Sequence, residues 1–131
     1  MSAHRARFEF ARNNYSKALT RLHEALAMDE SSYVRDAVIQ RFEFCYELAW
    51  KSMFYWIRDQ GEQVPEMVRP VFEMAFRALL IDDFELWSKL KDCRDETSHT
   101  YNEATAVTVA AFVRGPGIRA LDAYGDRIET L

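Results

Sequence analysis

The residues of this chain that are best suited to chemistry lie together in one polar stretch, RDETSHTYN at positions 94–102. Arg94 is always charged, and the fork of its guanidinium group matches two oxygens of a phosphate. His99 can take up or release a proton near neutral pH, and Tyr101 adds a phenol beside it. An arginine and a histidine gathered at one corner of a protein can bind and cleave a phosphodiester without a metal ion.

The same stretch also has a purely structural interpretation. It closes a predicted helix before a tight turn, and the last carbonyl groups of a helix need polar partners. An arginine or a histidine near that end also interacts favourably with the helix dipole. The spacing alone therefore leaves both interpretations open, with Asp95 and Ser98 as candidate supporting residues.

A metal site is the weaker alternative for this stretch. Glu96 and His99 have the Glu-x-x-His spacing that is found in di-iron helical bundles. Such a site needs a second Glu-x-x-His motif and two further glutamates, and the sequence has no second motif of this kind. His4 and His23 stand alone on the first predicted helix, where we expect surface side chains. We expect neither a bound metal nor a cofactor.

The length and the charge of the chain limit its organisation. It has 131 residues and a formal net charge of −4, which is typical of a single domain spanning residues 1–131. A chain of this charge does not coat a nucleic acid, so any contact with RNA must be local. Arg5, Arg7 and Arg12 form a mild basic patch, for which we expect a solvated face, with contact to a partner or to RNA as the alternative.

The cysteines and the hydropathy of the chain indicate where in the cell we expect the protein. Cys45 and Cys93 lie far apart and match no metal or redox motif. Both fall within apolar helical pattern, so we predict buried free thiols, as in a reducing compartment. The sequence has no recognisable signal peptide and no run of about 20 apolar residues that could span a membrane. We therefore expect a cytoplasmic protein.

The elements that must position the polar stretch are all helical. Apolar residues recur every three or four positions, and no alternating strand pattern has useful length. The sequence predicts an all-α fold, an up-and-down bundle of four to five helices. The first three predicted helices cover about 3–28, 32–60 and 70–80. We predict that Asp82 caps a fourth helix, with Glu85 at capping-box spacing, and that Asn102 caps a fifth. We expect Gly115-Pro116-Gly117 to break or kink the fifth helix before it continues over 118–128.

The second predicted helix is apolar around most of its circumference. Glu43, Glu47 and Lys51 form its one clear polar stripe, with Glu47 placed to pair with Lys51. A helix that is apolar nearly all round is buried from two sides, so we expect the bundle core to cover one side and a second subunit the other. An aromatic stripe belongs to the core or to a dimer interface rather than to a stacking platform: Phe42, Tyr46, Trp50 and Phe54.

Three segments carry a resemblance to a known family: RFEFCYELAWK at 41–51, AFRALLID at 75–82 and RDETSHTYNE at 94–103. Together they resemble the HEPN superfamily, specifically its nucleotidyltransferase substrate-binding branch, over roughly residues 5–131. The resemblance implies a helical bundle and a homodimer. It also implies pairing with a cognate minimal nucleotidyltransferase encoded beside it.

The resemblance also implies roles for individual residues. HEPN ribonucleases cleave RNA without metal through an arginine and a histidine, which correspond to Arg94 and His99 here. In two-component toxin–antitoxin pairs of this kind the nucleotidyltransferase attaches AMP to a tyrosine, at the position of Tyr101, and so silences the toxin. Asp95 departs from the asparagine that often follows the arginine, and a negative charge at that position disfavours RNA binding.

Two other roles remain open at the level of sequence. The chain can be a non-catalytic subunit that binds substrate and presents it to the nucleotidyltransferase, or a purely structural dimer. It has no glycine-rich phosphate loop and no paired catalytic aspartates, so we do not expect it to be the transferase itself.

Overall fold

A computed structural model describes residues 2–131, and these form a bundle of α-helices joined by short turns, without a strand in the described part. The predicted all-α fold is confirmed. The helices are α1 (Ala3–Leu26), α2 (Ser32–Asp59), α3 (Val68–Arg77), α4 (Phe84–Glu96), α5 (Glu103–Phe112) and α6 (Ile118–Ile128).

Side-chain caps set where several helices begin. The Asn102 side chain accepts a hydrogen bond from the backbone N–H of Thr105, which confirms the predicted cap of α5. The predicted cap of α4 was one residue early: Asp83, not Asp82, accepts from the N–H of Leu86, at 2.9 Å. Because α4 begins at Phe84, Glu85 stands one position too early for a capping box.

The third helix lies about two residues earlier than the sequence predicted. It begins at Val68, which places Pro70 in its first turn, where proline is tolerated. It ends at Arg77 because Leu79 adopts a left-handed backbone conformation with φ of 62°. This conformation cannot continue a helix and is costly for a branched side chain.

The α2 helix lies at the centre of the bundle, in contact with α1, α3, α4, α5 and α6. The aromatic stripe of α2 is buried, as predicted for a core position. The helices of the same chain enclose most of the apolar arc of α2, so this arc does not by itself require the second subunit that we expected as its other cover. Among its large apolar side chains, Phe44 and Tyr33 stay exposed.

The Gly115-Pro116-Gly117 segment neither ends a helix nor forms a loop. Val113–Gly117 is a π-helical turn that joins α5 to α6. A π turn is wider than an α turn and accommodates local irregularity within a continuous helix, here the missing N–H of Pro116. Gly117 is buried, and a Cβ atom there would lie 3.2 Å from the carbonyl oxygen of Phe112, so a larger residue would crowd the helix backbone.

Both cysteines are buried and free, as predicted. Burial raises the pKa of the Cys45 and Cys93 thiols from 9.0 to about 12, because a thiolate is poorly solvated inside the core. Within residues 2–131, no helix combines the length and the apolar character needed to cross a bilayer.

Candidate functional site

The polar stretch lies where α4 gives way to a short 3₁₀ turn, Thr97–His99. Thr97 is buried, and its hydroxyl donates to the carbonyl oxygen of Arg94 at 2.6 Å. Ser98 donates in the same way to the carbonyl oxygen of Asp95 at 3.0 Å. These bonds supply side-chain partners to carbonyl groups in the last turn of α4, where the Arg94 carbonyl also accepts the backbone N–H of Thr97. Thr97 and Ser98 therefore have the structural role that the sequence left open, which is to donate hydrogen bonds to carbonyl groups at the end of α4.

The Arg94 side chain points from α4 back onto α2. Its Nη1 donates to the hydroxyl oxygen of Thr97 at 2.9 Å. Its Nε lies 3.5 Å from a carboxylate oxygen of Glu47, and its Nη2 lies 3.9 Å from one of Glu43. The guanidinium is about one-third exposed, at 32%. Three groups from two elements thus hold the cation in place.

The orientation of this guanidinium matters for its chemistry. The edge formed by Nε and Nη2 is one on which arginine binds a phosphate through two parallel hydrogen bonds. Here that edge faces the carboxylates of Glu43 and Glu47. Neither distance is a tight hydrogen bond, and the buried Nε has no hydrogen-bond partner among the described residues. The carboxylates therefore occupy the Nε–Nη2 edge of Arg94 without saturating it.

These acidic partners were not predicted from the sequence as part of the site. Glu47 was expected to pair with Lys51, and this is wrong: Lys51 binds Glu66 at 3.1 Å, in the segment before α3. Glu47 instead accepts a hydrogen bond from the indole of Trp50 and faces Arg94. The acidic pair on this mostly apolar helix was a signal that a cation could face it, but the pair does not identify which cation.

His99 and Tyr101 stand on the outer side of the turn. Their rings pack edge to face, with centroids 6.2 Å apart. His99 is exposed, and Tyr101 is 87% exposed. Within residues 2–131, no hydrogen bond or ion pair joins either ring to Arg94. The structure therefore brings Arg94 together with Thr97 and the α2 carboxylates, and His99 together with Tyr101, as two neighbouring groups on one short segment.

Asp95 does not share the surroundings of Arg94. Successive helical residues point about 100° apart, and the Asp95 carboxylate binds Lys91 on its own helix at 2.9 Å. It borders a groove between α4 and α5 that Cys93 and Val109 also line. The negative charge expected to oppose a phosphate is thus paired with a lysine and directed away from the guanidinium.

Among the residues that the structure describes, no group of three or more histidine, cysteine, aspartate or glutamate side chains is arranged to hold a metal ion. The Glu-x-x-His spacing of Glu96 and His99 gains no further ligands from other helices. What the site offers is a guanidinium, an imidazole and a phenol at one surface corner.

The comparisons with known proteins agree with this picture of the fold. Residues 11–123 match the family described as nucleotidyltransferase substrate binding protein like. This chain belongs to that family. The resemblance inferred from the three sequence segments is thereby confirmed.

Two individual relatives of this family member are informative. A probable ribonuclease HepT from Haemophilus influenzae is 32% identical over 90 residues, which cover 63% of this chain and 62% of that protein. The chain therefore spans less than two thirds of the length of this curated relative. A crystal structure of a protein from Thermus thermophilus has the same fold, with a TM-score of 0.78, 30% identity, and coverage of 87% of this chain and 98% of that one.

Proposed function

We propose that this family member is the HEPN component of a two-component system with a minimal nucleotidyltransferase, and that it is a toxin that cleaves RNA without a metal ion. The observation that carries the proposal is the placement of Arg94 and His99 on one helix end and the turn after it. The name of the Haemophilus influenzae relative, a probable ribonuclease, supports the choice of RNA. The two free buried thiols suit a cytoplasmic location.

The proposed reaction uses the 2′-hydroxyl of the RNA as its nucleophile. His99 takes the proton of that hydroxyl while its oxygen forms a bond to the adjacent phosphorus. The bond from phosphorus to the 5′ oxygen breaks, and the imidazolium returns the proton to this leaving oxygen. The products are a 2′,3′-cyclic phosphate and a free 5′-hydroxyl. Arg94 stabilises the negative charge that builds up on the phosphate oxygens.

In the free chain Arg94 is held in a resting state. A phosphate must displace the carboxylates of Glu43 and Glu47 from the Nε–Nη2 edge before it can bind there. The loose geometry of these contacts, 3.5 and 3.9 Å, makes that exchange feasible. Because Arg94 and His99 share no direct bond, the substrate itself would bridge them.

We also propose that the chain acts as a homodimer through the outer face of α5. This face carries small, uncharged side chains, Ala104, Val107, Thr108 and Ala111, all of them exposed. A helix that is largely apolar all round favours burial on its second side, and this one begins at Glu103, two residues after Tyr101. Two copies that meet here would bring their polar stretches close together.

Tyr101 is the proposed acceptor of AMP from the partner nucleotidyltransferase. Its phenol oxygen would bond to the α-phosphorus of ATP as the bond to pyrophosphate breaks, and the phenolic proton would pass to a base of the transferase. The exposure of this side chain allows another enzyme to reach it. The added phosphate would place negative charge beside His99 and repel RNA.

The cleavage proposal is tested by comparing the wild-type chain with Arg94→Ala and His99→Ala on a defined RNA in the presence of EDTA. We expect each variant to cleave at least about a hundredfold more slowly. Arg69→Ala, at an exposed position of α3, serves as the matched control and should cleave like the wild type. Equal cleavage by all four proteins would contradict the proposed site.

The AMP proposal is tested with the neighbouring transferase, ATP and Mg²⁺, followed by intact mass and peptide mapping. We expect one AMP adduct, which Tyr101→Phe abolishes. Tyr33→Phe is a closely matched control, since Tyr33 is 86% exposed on the same chain. Labelling that persists in Tyr101→Phe would refute the assignment.

A non-catalytic, substrate-presenting subunit is the second candidate function. The observation that favours it is the occupation of the Arg94 phosphate-binding edge by Glu43 and Glu47. It predicts a stable complex with the nucleotidyltransferase and intact RNA in every preparation, including one of the purified dimer. Cleavage that depends on His99 would exclude it.

A further inference from the structure

The outer side of the α1–α2 hairpin carries a surface that the proposed chemistry does not use. Residues separated by about whole numbers of helical turns line one face of each helix. We call it the α1–α2 face, and it comprises Arg7, Phe10, Lys17 and Arg21 of α1 with Tyr33, Arg41, Phe44 and Tyr55 of α2.

Direct contacts join the two helical stripes into one surface. The Arg7 guanidinium lies 6.0 Å from the centre of the Tyr55 ring, within range of a cation–π interaction. Nearer the other end, Arg41 Nη1 donates to the carbonyl oxygen of Arg21 at 2.7 Å. The stripes therefore meet along their length, and the side chains between these contacts share one side of the hairpin.

Three aromatic side chains on this face are exposed to solvent. Phe10 is 71% exposed, Phe44 is 55% exposed, and Tyr33 is more exposed than either. Single exposed apolar side chains are ordinary on a protein surface. Several rings grouped on one face, with cations between them, are instead typical of surfaces on which nucleobases stack.

The charge of this face is opposite to that of the chain. The chain has a net charge of −4, whereas the α1–α2 face has four basic residues. Arg21 lies 3.8 Å from Glu24. Arg7, Lys17 and Arg41 have no carboxylate within 4.0 Å among residues 2–131, so their charge is available to a polyanion.

This arrangement divides the basic patch that the sequence suggested near the N-terminus. Arg5 and Arg12 both pair with Glu9 and donate to the carbonyl oxygen of Leu131. They belong to the seam between α1 and the end of the chain. Arg7 alone of the three turns to the α1–α2 face.

We propose that the α1–α2 face binds a short segment of single-stranded RNA, with bases stacked on Phe10 and Phe44 and phosphates bound by Arg7, Lys17 and Arg41. The choice of RNA rests on the proposed function, while the surface itself is independent of His99. From Arg7 to Arg21 the helix rises about 21 Å, which accommodates a short strand.

The face also has a route to the candidate site. Glu43 precedes Phe44 on α2, so its side chain points about 100° further round the helix, and its carboxylate faces Arg94. A strand that leaves the face across α2 would therefore approach the guanidinium from its carboxylate side. The face would hold RNA near the site and would add affinity without contacting the reacting phosphate.

Binding is measured by fluorescence anisotropy with a fluorescein-labelled 15-nucleotide oligouridine and the full chain carrying His99→Ala, so that the probe stays intact. In this background, Phe10→Ala and Phe44→Ala should each weaken binding at least about fivefold, as the loss of one stacked base predicts. Phe76→Ala is the control, because Phe76 is also an exposed phenylalanine but lies on α3. It should leave the affinity within about twofold.

Salt dependence tests the cations separately. Arg7→Gln and Lys17→Gln should each reduce the slope of log affinity against log salt by about 0.7, the value for one phosphate contact on a single strand. Arg69→Gln should leave the slope unchanged. Circular dichroism confirms that each variant is folded, which the exposure of these side chains favours.

Equal affinities for the wild type, Phe10→Ala and Phe44→Ala would overturn the proposal. So would light scattering that shows these two variants converting a dimer into a monomer, since the face would then be a contact between copies. The result is separable from the proposed catalysis. Loss of oligouridine binding in Phe10→Ala supports this surface even if Arg94→Ala and His99→Ala leave cleavage unchanged.

Discussion

Arg94 and Tyr101 lie within one short stretch, yet the fold treats them in opposite ways. Arg94 is held by Thr97 from its own segment and by two carboxylates from α2. Tyr101 projects almost fully into solvent, and its ring packs edge to face with that of His99. The difference teaches that the stretch has an anchored end, whose position the bundle fixes, and a presented end, which another molecule can reach.

The largest expected effect is a loss of folding stability at high pH, which arises from two buried thiols, one of them next to the anchored end. Cys45 in α2 and Cys93, which directly precedes Arg94, ionise near pH 9 when unfolded, and burial raises the pKa of each to about 12 in the folded chain. Between these values the folded chain keeps protons that the unfolded chain has lost, so stability falls as the pH rises through this window. Thermal melts from pH 8 to 11 should show a progressive decrease in Tm.

The double variant Cys45→Ala with Cys93→Ala is the control for that effect. It should be less stable at neutral pH because it leaves small cavities, but its Tm should decline less steeply above pH 9. An identical decline in both proteins would show that the thiols do not carry the effect.

The next largest effect concerns the bond that ties the turn to α4. Thr97→Val removes the hydroxyl that accepts from Arg94 Nη1 and donates to the Arg94 carbonyl. Because Thr97 is buried and one of the two bonds has a charged donor, their loss should lower the free energy of unfolding by about 1–3 kcal/mol in urea denaturation. Ser98→Ala, which removes a similar but exposed hydroxyl, should cost about 0.5 kcal/mol or less. Equal losses would mean that burial does not distinguish the two.

A smaller effect is expected when the contacts that hold Arg94 against α2 are weakened rather than removed. Glu47→Gln deletes one of the charges that face the Nε–Nη2 edge of Arg94, where we propose that phosphate binds. We expect RNA affinity to increase severalfold, and stability to change by less than about 1 kcal/mol, since the ion pair is partly exposed. Glu73→Gln, on an exposed part of α3, should alter neither property. Weaker RNA binding by Glu47→Gln would instead assign Glu47 the role of positioning Arg94 for substrate.

The smallest effect belongs to the presented end. Tyr101→Ala should leave the free energy of unfolding within about 0.5 kcal/mol of the wild type, as for other exposed positions. Chemical denaturation measures this directly. A loss well above 1 kcal/mol would show that the Tyr101 ring packs in solution and is less accessible than its position implies.

The sequence was sufficient for features that depend on local chemistry. The helical periodicity, the Asn102 cap and the burial of the α2 aromatics all follow from residues close together in the chain. The α4 cap was misplaced by one residue because Asp82 and Asp83 are equally good caps by type, and only the backbone conformation selects between them.

The partners of Arg94 could not be found in the same way. Glu47 and Lys51 are four residues apart on one helix, so the local rule favoured their pairing. The observed pairing of Glu47 with Arg94, and of Lys51 with Glu66, depends on how α4 and the loop before α3 pack against α2. Such contacts require the tertiary arrangement. The number of helices of the same chain that pack on α2 was missed for the same reason, because periodicity does not reveal how many neighbours a helix has.

The π turn at Val113–Gly117 has a practical consequence for anyone who wishes to re-engineer the chain. Its Gly-Pro-Gly tripeptide resembles a hinge at which a tag, a new terminus or an inserted domain would be tolerated. It lies instead inside a continuous helix, where adding or deleting one residue would rotate α6 by about 100° and carry the buried Tyr124 away from Trp87 and Ser52. The length of this segment therefore fixes the orientation of α6. The turn between α1 and α2 is the safer place for an insertion or a new terminus.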